Sequence, residues 1–542
     1  MIRRTRLAVA LAVTALAAGL MSGCSSTSNS APASDPEAGK NYISYNGTEP
    51  ENPLIPGDTT ESGGVKVIGA LFRGLVEYDP KTGEPHNAVA QSIRTTDNKV
   101  FTITVAPGWT FHDGTPVTSQ SFVDAWNFTA YAPNHMAGAS FLNHIQGYTD
   151  VHPSDTAPQP PATTMSGLRV VDDHTFTVTL SAPFSTFTTQ LGYAAFFPLP
   201  KSFFTDRKGY EAHPIGDGPF QFVSRQVGHN IVMSRYEKFG GAVKPKIDGV
   251  EFRFYPTLED AYAAVKANKL DYLEIIPDSA LKGGLYKKEL AGRSLTQTYL
   301  GVQSISFPLY DPRYRNPQLR QALSMAIDRQ YVINTVFDGD KQIADGLVPP
   351  SVPGRIPNQC GELCTYQPQK AKQLFDATGF QGPIELTSNN DSANQDWMEA
   401  TCKTITAALG RECHFAPVPT LGEFRTMIDD RKITGIYRSG WVADYPAMED
   451  FLEPIYRTNA AVNGTTYSDP KVDALFDQAA AAPTQDQVHA LYQQAERQIL
   501  QDMPAIPFWF QTVQAGWSSR LHNVTVTPFR ELDLFSVTAD KT

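Results

Sequence analysis

Cysteine is scarce here: five residues in 542, and one of them, Cys24, stands in the N-terminal leader. No histidine lies at ligand spacing near Cys360 and Cys364. His414 follows Cys413 directly, a poor chelate geometry, so no metal site is expected. The four remaining thiols, Cys360, Cys364, Cys402 and Cys413, make an even number, which in an exported chain points to disulfides. Three connectivities are open; the local pairs Cys360–Cys364 and Cys402–Cys413 close the shortest loops and are favoured. Basic residues are also few, 45 against 56 acidic for a net charge of −11, with no basic cluster outside the N-terminus. That excludes nucleic acid as a partner. Catalytic signatures are missing as well: there is no G-x-S-x-G, H-E-x-x-H, P-loop or G-x-G-x-x-G, and the eleven histidines are scattered. Asp172-Asp173 sits between alternating strands and reads as a hairpin turn, not a paired-carboxylate site. Neither an enzyme nor a cofactor is expected.

What is present is an ordinary globular composition, 41% hydrophobic and 19% charged, long enough for two or three domains. The leader is a targeting segment. Arg3, Arg4 and Arg6 form its charged region, and Leu7 to Leu20 is an apolar run too short and alanine-rich for a transmembrane span. It ends at Met21-Ser22-Gly23-Cys24, which resembles a bacterial lipobox, with Met21 where leucine is usual. Residues 1–23 are read as signal peptide, Cys24 as the lipidated N-terminus, and residues 24–40 as a flexible tether.

The chain beyond is mixed α/β. Strands are expected at Asn41–Asn46, at Val100–Val105 and around Val250, Phe252 and Phe254, with a hairpin over Val170–Leu180. Val65–Leu75 reads as helical, and Phe122, Val123, Trp126 and Ala130 line one face of another helix. Thr257 with Asp260 resembles a helix start that feeds the strand Tyr272–Ile275, a crossover unit. A stripe from Leu319 to Phe337 falls at helical spacing. Pro368–Thr378 is a helix closed by Gly379, and Thr484 to Gln487 cap another. Late strands are expected at Ile506–Phe510 and Val524–Val526.

One stretch carries binding chemistry: Arg438-Ser439-Gly440-Trp441-Val442-Ala443-Asp444-Tyr445-Pro446. A β-like run from Ile433 stops at Gly440, then an indole and a carboxylate follow before a turn at Tyr445-Pro446. Asp444 suits a cation and Arg438 a carboxylate. Either the two pair with each other at the strand end, or they take the two ends of a zwitterion such as a peptide.

Landmarks along the chain then resemble the oligopeptide/dipeptide-binding proteins of ABC importers, the family 5 extracytoplasmic solute-binding proteins. They include Asn46-Gly47-Thr48-Glu49-Pro50, Leu71-Phe72-Arg73-Gly74-Leu75, Gly108-Trp109-Thr110-Phe111-His112-Asp113-Gly114 and Asn316-Pro317-Gln318-Leu319-Arg320. The resemblance implies an α/β, two-lobed periplasmic-binding-protein clamshell, type II, in its large three-domain variant. Lobe I would hold residues 41–63, 198–297 and 505–542, with an inserted domain over 64–197; lobe II would run over 298–504. It implies a monomer, anchored through Cys24 on the outer face of the membrane, that delivers oligopeptides to permease subunits. By the same match Asp444 receives the peptide's α-ammonium, Arg438 a short peptide's carboxylate, and Trp441 walls a side-chain pocket. Gly440, Ala443 and Tyr445 complete the segment. Pro446-Ala447-Met448-Glu449-Asp450 departs from the Asn-Glu-Pro usual after that tyrosine. The same fold with haem, a metal chelate, an opine or a sugar is the alternative.

Overall fold

The computed structural model describes residues 40–153, 159–390, 394–460 and 462–541; the leader and Cys24 lie outside the described residues. Its spine is an eleven-stranded mixed sheet. In chain order the strands are β1 (Tyr42–Gly47), β2 (Phe220–Gln226), β3 (Asn230–Arg235), β4 (Gly249–Phe254), β5 (Tyr272–Leu273), β6 (Ser294–Ser306), β7 (Gln342–Ile343), β8 (Ile384–Asn389), β9 (Cys413–Val418), β10 (Ile436–Val442) and β11 (Ala505–Trp517). Across the sheet they run β9-β8-β10-β6-β11-β5-β1-β4-β3-β2, and β7 pairs with β11.

The predicted crossover is present. Thr257 Oγ1 accepts from the Asp260 N–H at 3.1 Å and starts the helix Leu258–Lys266 between β4 and β5. Those two strands flank β1, and both lie parallel to it, the geometry a helical crossover produces.

β6 and β11 give the molecule its two halves. Each is 13 residues long, and they pair antiparallel from Ser294↔Gly516 to Ser306↔Ala505. The ladder shifts register between Thr298 and Val302. On one side of the shift, Val513 and Ala515 belong to a core built from Ile43, Phe72, Phe252 and their neighbours. On the other side, Leu300, Val302, Phe508 and Phe510 join a core with Leu323, Phe375 and Ile499. Each strand therefore passes from one core into the other. Gly301 stands at the passage, where an added Cβ would meet Gln511 Cγ at 2.9 Å and Tyr299 Cε2 at 3.0 Å.

A separate four-stranded sheet, ordered Ala90–Arg94, Val100–Val105, Thr175–Thr179, Leu168–Asp172, packs on the first core. The alternation of Phe101, Ile103 and Val105 buries all three, and helix Ser119–Ala130 turns Phe122, Val123, Trp126 and Ala130 into the same core, with Phe122 and Trp126 against Phe176. Asp172-Asp173 is the hairpin turn: the Asp172 carboxylate accepts the His174 N–H at 2.9 Å. Disulfides join Cys360 to Cys364 and Cys402 to Cys413, the latter tying helix Asn394–Leu409 to β9.

Several boundaries differ from the sequence reading. The helix expected over Val65–Leu75 is Ser62–Leu71. It begins earlier because Gly63 and Gly64 pack closely on Thr48 and Thr59, where a Cβ would collide. The stripe from Leu319 is two helices, Pro317–Ala326 and Arg329–Phe337, since the Asp328 carboxylate caps the second by accepting the Tyr331 N–H. Val524–Val526 forms no strand; Val526 makes a single bridge to Leu532 around a turn. The strand expected to stop at Gly440 runs on to Val442, because its partner β6 continues alongside through Gly301.

Candidate ligand-binding cleft

β10 carries the stretch singled out in the sequence. It pairs with β6 from Tyr437↔Ser306 to Val442↔Gly301, and the Ala443 N–H prolongs the ladder by donating to the Leu300 carbonyl at 2.9 Å. Asp444 comes next, at the end of the paired segment. Tyr445 and Pro446 turn the chain into helix Met448–Tyr456.

That helix fixes the loop from behind. One oxygen of Asp450, Oδ2, accepts both the Trp441 indole N–H at 3.2 Å and the Asp444 backbone N–H at 3.1 Å. Tyr445 donates its hydroxyl to Glu449 at 2.7 Å. Asp450 and Glu449 are buried, 3% and 6% exposed. Burial, and then the charge of Asp444, drive the Asp450 carboxyl well above the usual carboxylate range; burial, and then its acidic neighbours Glu453 and Asp450, do the same to Glu449. Asp444 itself is half-buried, and burial pushes its carboxyl up to about 6. No cation of the described residues lies within ion-pair distance of it, and its side chain accepts no hydrogen bond from them.

Asp444 and Ala443 line a cavity of about 1150 Å³ between the two halves. Tyr78, Trp109, Tyr193, Phe239, Phe529 and Phe535 make much of the opposite wall, so the surroundings are aromatic and poorly hydrating. Most charge on that wall is already engaged. Lys66 is bound to Glu274, and Arg73 stacks on Phe535 at 4.9 Å with Glu77 at 3.5 Å. An uncompensated, partly dehydrated carboxylate facing such a cavity has the chemistry to accept a cationic group.

The segment's other residues are placed differently. Gly440 is exposed and pairs with Gln303. Trp441 is held against Asp450, and Tyr445 is buried on Glu449; neither is part of the cavity wall. Arg438 is half-buried, donates to Asn389 Oδ1 at 3.3 Å, and is absent from that wall too. The four strand steps from Arg438 to Val442 alone span about 13 Å, so Arg438 and Asp444 form neither an ion pair nor one pocket. Sequence reasoning did not find Asp450, Tyr78 or Tyr193. The acid pair at Glu449-Asp450 stood out as a departure, but the two tyrosines lie hundreds of residues upstream with no local signal.

Among the described residues no group of His, Cys, Asp and Glu is placed to hold a metal ion, and no helix is long and apolar enough to cross a membrane.

Comparison with known proteins places this cleft in a family. The chain is 26% identical over 454 residues to the periplasmic oligopeptide-binding protein OppA of Escherichia coli (strain K12), covering 81% of each chain. It is 25% identical over 500 residues to the probable deoxycholate-binding periplasmic protein YgiS of the same organism, covering 89% of this chain and 90% of that one. Among solved structures, the periplasmic murein tripeptide binding protein MppA in its unliganded open form superposes with a TM-score of 0.81 at 22% identity, over 93% of this chain and 99% of that one. The fold is accordingly the two-lobed α/β clamshell of periplasmic binding proteins. Residues 84–463 match the family model for bacterial extracellular solute-binding proteins, family 5 Middle. The chain belongs to the family 5 bacterial extracellular solute-binding proteins, a family of extracytoplasmic receptors that bind solutes.

Proposed function

We propose that this protein captures oligopeptides outside the cytoplasmic membrane and hands them to the permease of an ABC importer, with Asp444 as the anchor for the peptide's α-ammonium. The observation that carries this reading is the Asp444 carboxylate, partly dehydrated and without a cation, at the cavity end of a strand edge. A peptide backbone can lie beside that edge while its side chains enter the aromatic cavity. Closing the halves takes Asp444 further from water, and the arriving ammonium offsets that cost, so ligand favours the closed state. The hinge of this reading is the β6–β11 passage. Residues 41–63, 198–297 and 505–542 then move as one lobe with the 64–197 insertion, and 298–504 as the other. A monomer lipidated at Cys24 and free to swing on residues 24–40 suits the task; Cys24→Ser should move the protein from membrane to soluble fractions.

Calorimetry tests the anchor. Truncating one partner of such a buried pair costs about 3–5 kcal/mol, so Asp444→Ala should weaken peptide binding roughly a hundredfold or more. N-acetylating the peptide should hurt the wild type about as much, and the two changes together should be well short of additive. Equal binding of free and acetylated peptide would sink the reading. A non-peptide solute is the second reading, favoured by the aromatic wall; it predicts that no peptide competes with whatever ligand co-purifies.

A further inference from the structure

The two strands that join the halves have two outer edges, and Asp444 faces the cavity beside only one of them. Along the outer edge of β6 run β10 and then Ala443, whose N–H donates to the Leu300 carbonyl, and Asp444 follows in the cavity wall. Along the outer edge of β11 lie β7, paired with Trp509 and Phe510, and β5, paired with Gly516 and Trp517. Between β7 and β5 the halves touch.

Residues 338–341 come from one half, as the turn between helix Arg329–Phe337 and β7. Residues 282–289 come from the other, beyond β5. Asp338 Oδ2 accepts the Gly283 N–H at 2.8 Å, and Lys287 Nζ donates to Asp340 Oδ1 at 2.9 Å. Each side is fixed to its own half. Asp338 ends its helix with φ +51°, and the Asp340 N–H donates back to the Phe337 carbonyl at 2.9 Å. The Asp340 carbonyl accepts the Thr512 hydroxyl at 2.9 Å, and Thr512 is paired with Thr298, the last pair before the ladder shifts register. Opposite, Gly283 and Gly284 turn the chain at φ +65° and +64°. Tyr286, next to Lys287, is buried with Leu273 and Ile276.

A pair of strands with a lobe at each end is a fulcrum. A turn that narrows the gap along the β6 edge, where Asp444 faces the cavity wall, widens the gap along the β11 edge. The contacts of Asp338 and Asp340 lie on the widening side.

We infer that the Asp338–Gly283 and Lys287–Asp340 contacts form a counter-latch, which favours the open cleft and is released as the cleft closes on its ligand. This rests on the hinge of the reading above and adds a control on affinity to it. A receptor that encloses ligand only in a minor, closed state binds with an apparent affinity reduced by the population of that state. Lys287 is 56% exposed and Asp340 16%, so the ion pair is weak enough to bias the equilibrium without locking it. The inserted domain provides a comparison. It walls the cavity with Tyr78 and Tyr193, and its Asn98 Nδ2 donates to the Ala482 carbonyl at 2.7 Å, joining the halves away from the β11 edge.

The test titrates the tripeptide Ala-Phe-Ala by calorimetry into the wild-type chain, Lys287→Glu, Asp338→Gly and Asn98→Ala. Asp338→Gly removes the acceptor at a backbone conformation that glycine adopts freely. Lys287→Glu and Asp338→Gly should each tighten binding, by roughly 3–10-fold. The reversed pair Lys287→Glu/Asp340→Lys should return affinity to the wild-type level, and added salt should shrink the gain made by Lys287→Glu. Asn98→Ala should not tighten binding. Unchanged or weaker binding in both Lys287→Glu and Asp338→Gly overturns the counter-latch. So does an equal gain from Asn98→Ala, which would mean general loosening. A second readout needs no ligand: spin-echo distances between labels at Glu237→Cys and Lys432→Cys, exposed positions on the two halves. With Lys287→Glu and Asp338→Gly combined, the unliganded distribution should gain a shorter component. If the peptide fails to bind the folded wild type, this readout decides alone. A shorter component then keeps the counter-latch while the peptide reading falls, and an unchanged distribution overturns the counter-latch too.

Discussion

Asp450 holds the Asp444 loop by its backbone, accepting the Asp444 N–H and the Trp441 indole N–H on the same oxygen. One carboxyl behind the cleft thus orients another in front of it. The rear group is buried and shifted well above the usual carboxylate range, and burial raises the front group to about 6.

Peptide affinity should be bell-shaped in pH. Burial raises Asp444 to about 6 in the unliganded protein, so the anchor becomes neutral as pH falls through that value, and affinity drops about tenfold per pH unit below it. On the alkaline side the peptide's α-ammonium, with an ordinary pKa of about 7.7–8.0, loses its proton. Titrations between pH 4.5 and 9 in buffers of different ionisation heat should show protons released on binding near pH 5.5. A flat acid limb would exclude Asp444 as the titrating group.

Asp450→Asn and Asp450→Ala should part company. Asparagine keeps an acceptor for Trp441 and Asp444 and resembles the neutral acid, so stability and binding should change little. Alanine leaves both buried donors unsatisfied and should cost about 1–3 kcal/mol, with weaker peptide binding because the Asp444 loop loosens. Indole fluorescence together with urea midpoints would report both. Equal behaviour of the two variants would remove Asp450's positioning role.

Glu496 offers a stability test remote from the cleft. Its Oε1 accepts the Leu347 and Val348 N–H groups, Oε2 is buried without a partner, and burial pushes its carboxyl up to about 7. A carboxyl raised in the folded state contributes its full stability below the unfolded value, near 4.5, and loses it as pH rises through 7. Glu496→Gln keeps the acceptor and cannot ionise. It should match the wild type near pH 4.5 and exceed it by roughly 1–3 kcal/mol at pH 8.5. Denaturant midpoints at the two pH values decide this; an unchanged pH slope would count against it.

Opening the Cys402–Cys413 bridge should cost about 2–4 kcal/mol, since it staples helix Asn394–Leu409 to β9 at the sheet's edge. Melting of Cys402→Ala/Cys413→Ala against the wild type measures it. Peptide mapping without reductant that finds either thiol free would contradict the pairing.

Where a single period governs burial, the sequence is readable. Phe101, Ile103 and Val105 alternate, Phe122, Val123, Trp126 and Ala130 recur at helical spacing, and all seven are buried. Boundaries set by long-range contact are not readable in this way. Gly63 and Gly64 look like helix breakers, yet they are the helix's closest approach to Thr48 and Thr59. Val524–Val526 has strand propensity, but Thr527 draws the chain into a turn. The site divides likewise. Asp444 stands out as a carboxylate at a strand end, whereas Tyr78 and Tyr193 reach the same cavity from far upstream. Arg438 and Asp444 are close in sequence, but the extended residues between them hold the two apart, so they do not pair with each other.

The shared strands have a consequence for how the chain acquires its shape. β11 lies in the middle of the sheet, between β6 and β5, although it is the last long strand of the sequence. Until residues 505–517 arrive, β5 lacks a neighbour on one side, and β6 lacks the partner that lies across it from β10. Neither half can complete its core from the residues that precede this strand. Assembly is thereby postponed until nearly the whole polypeptide has emerged.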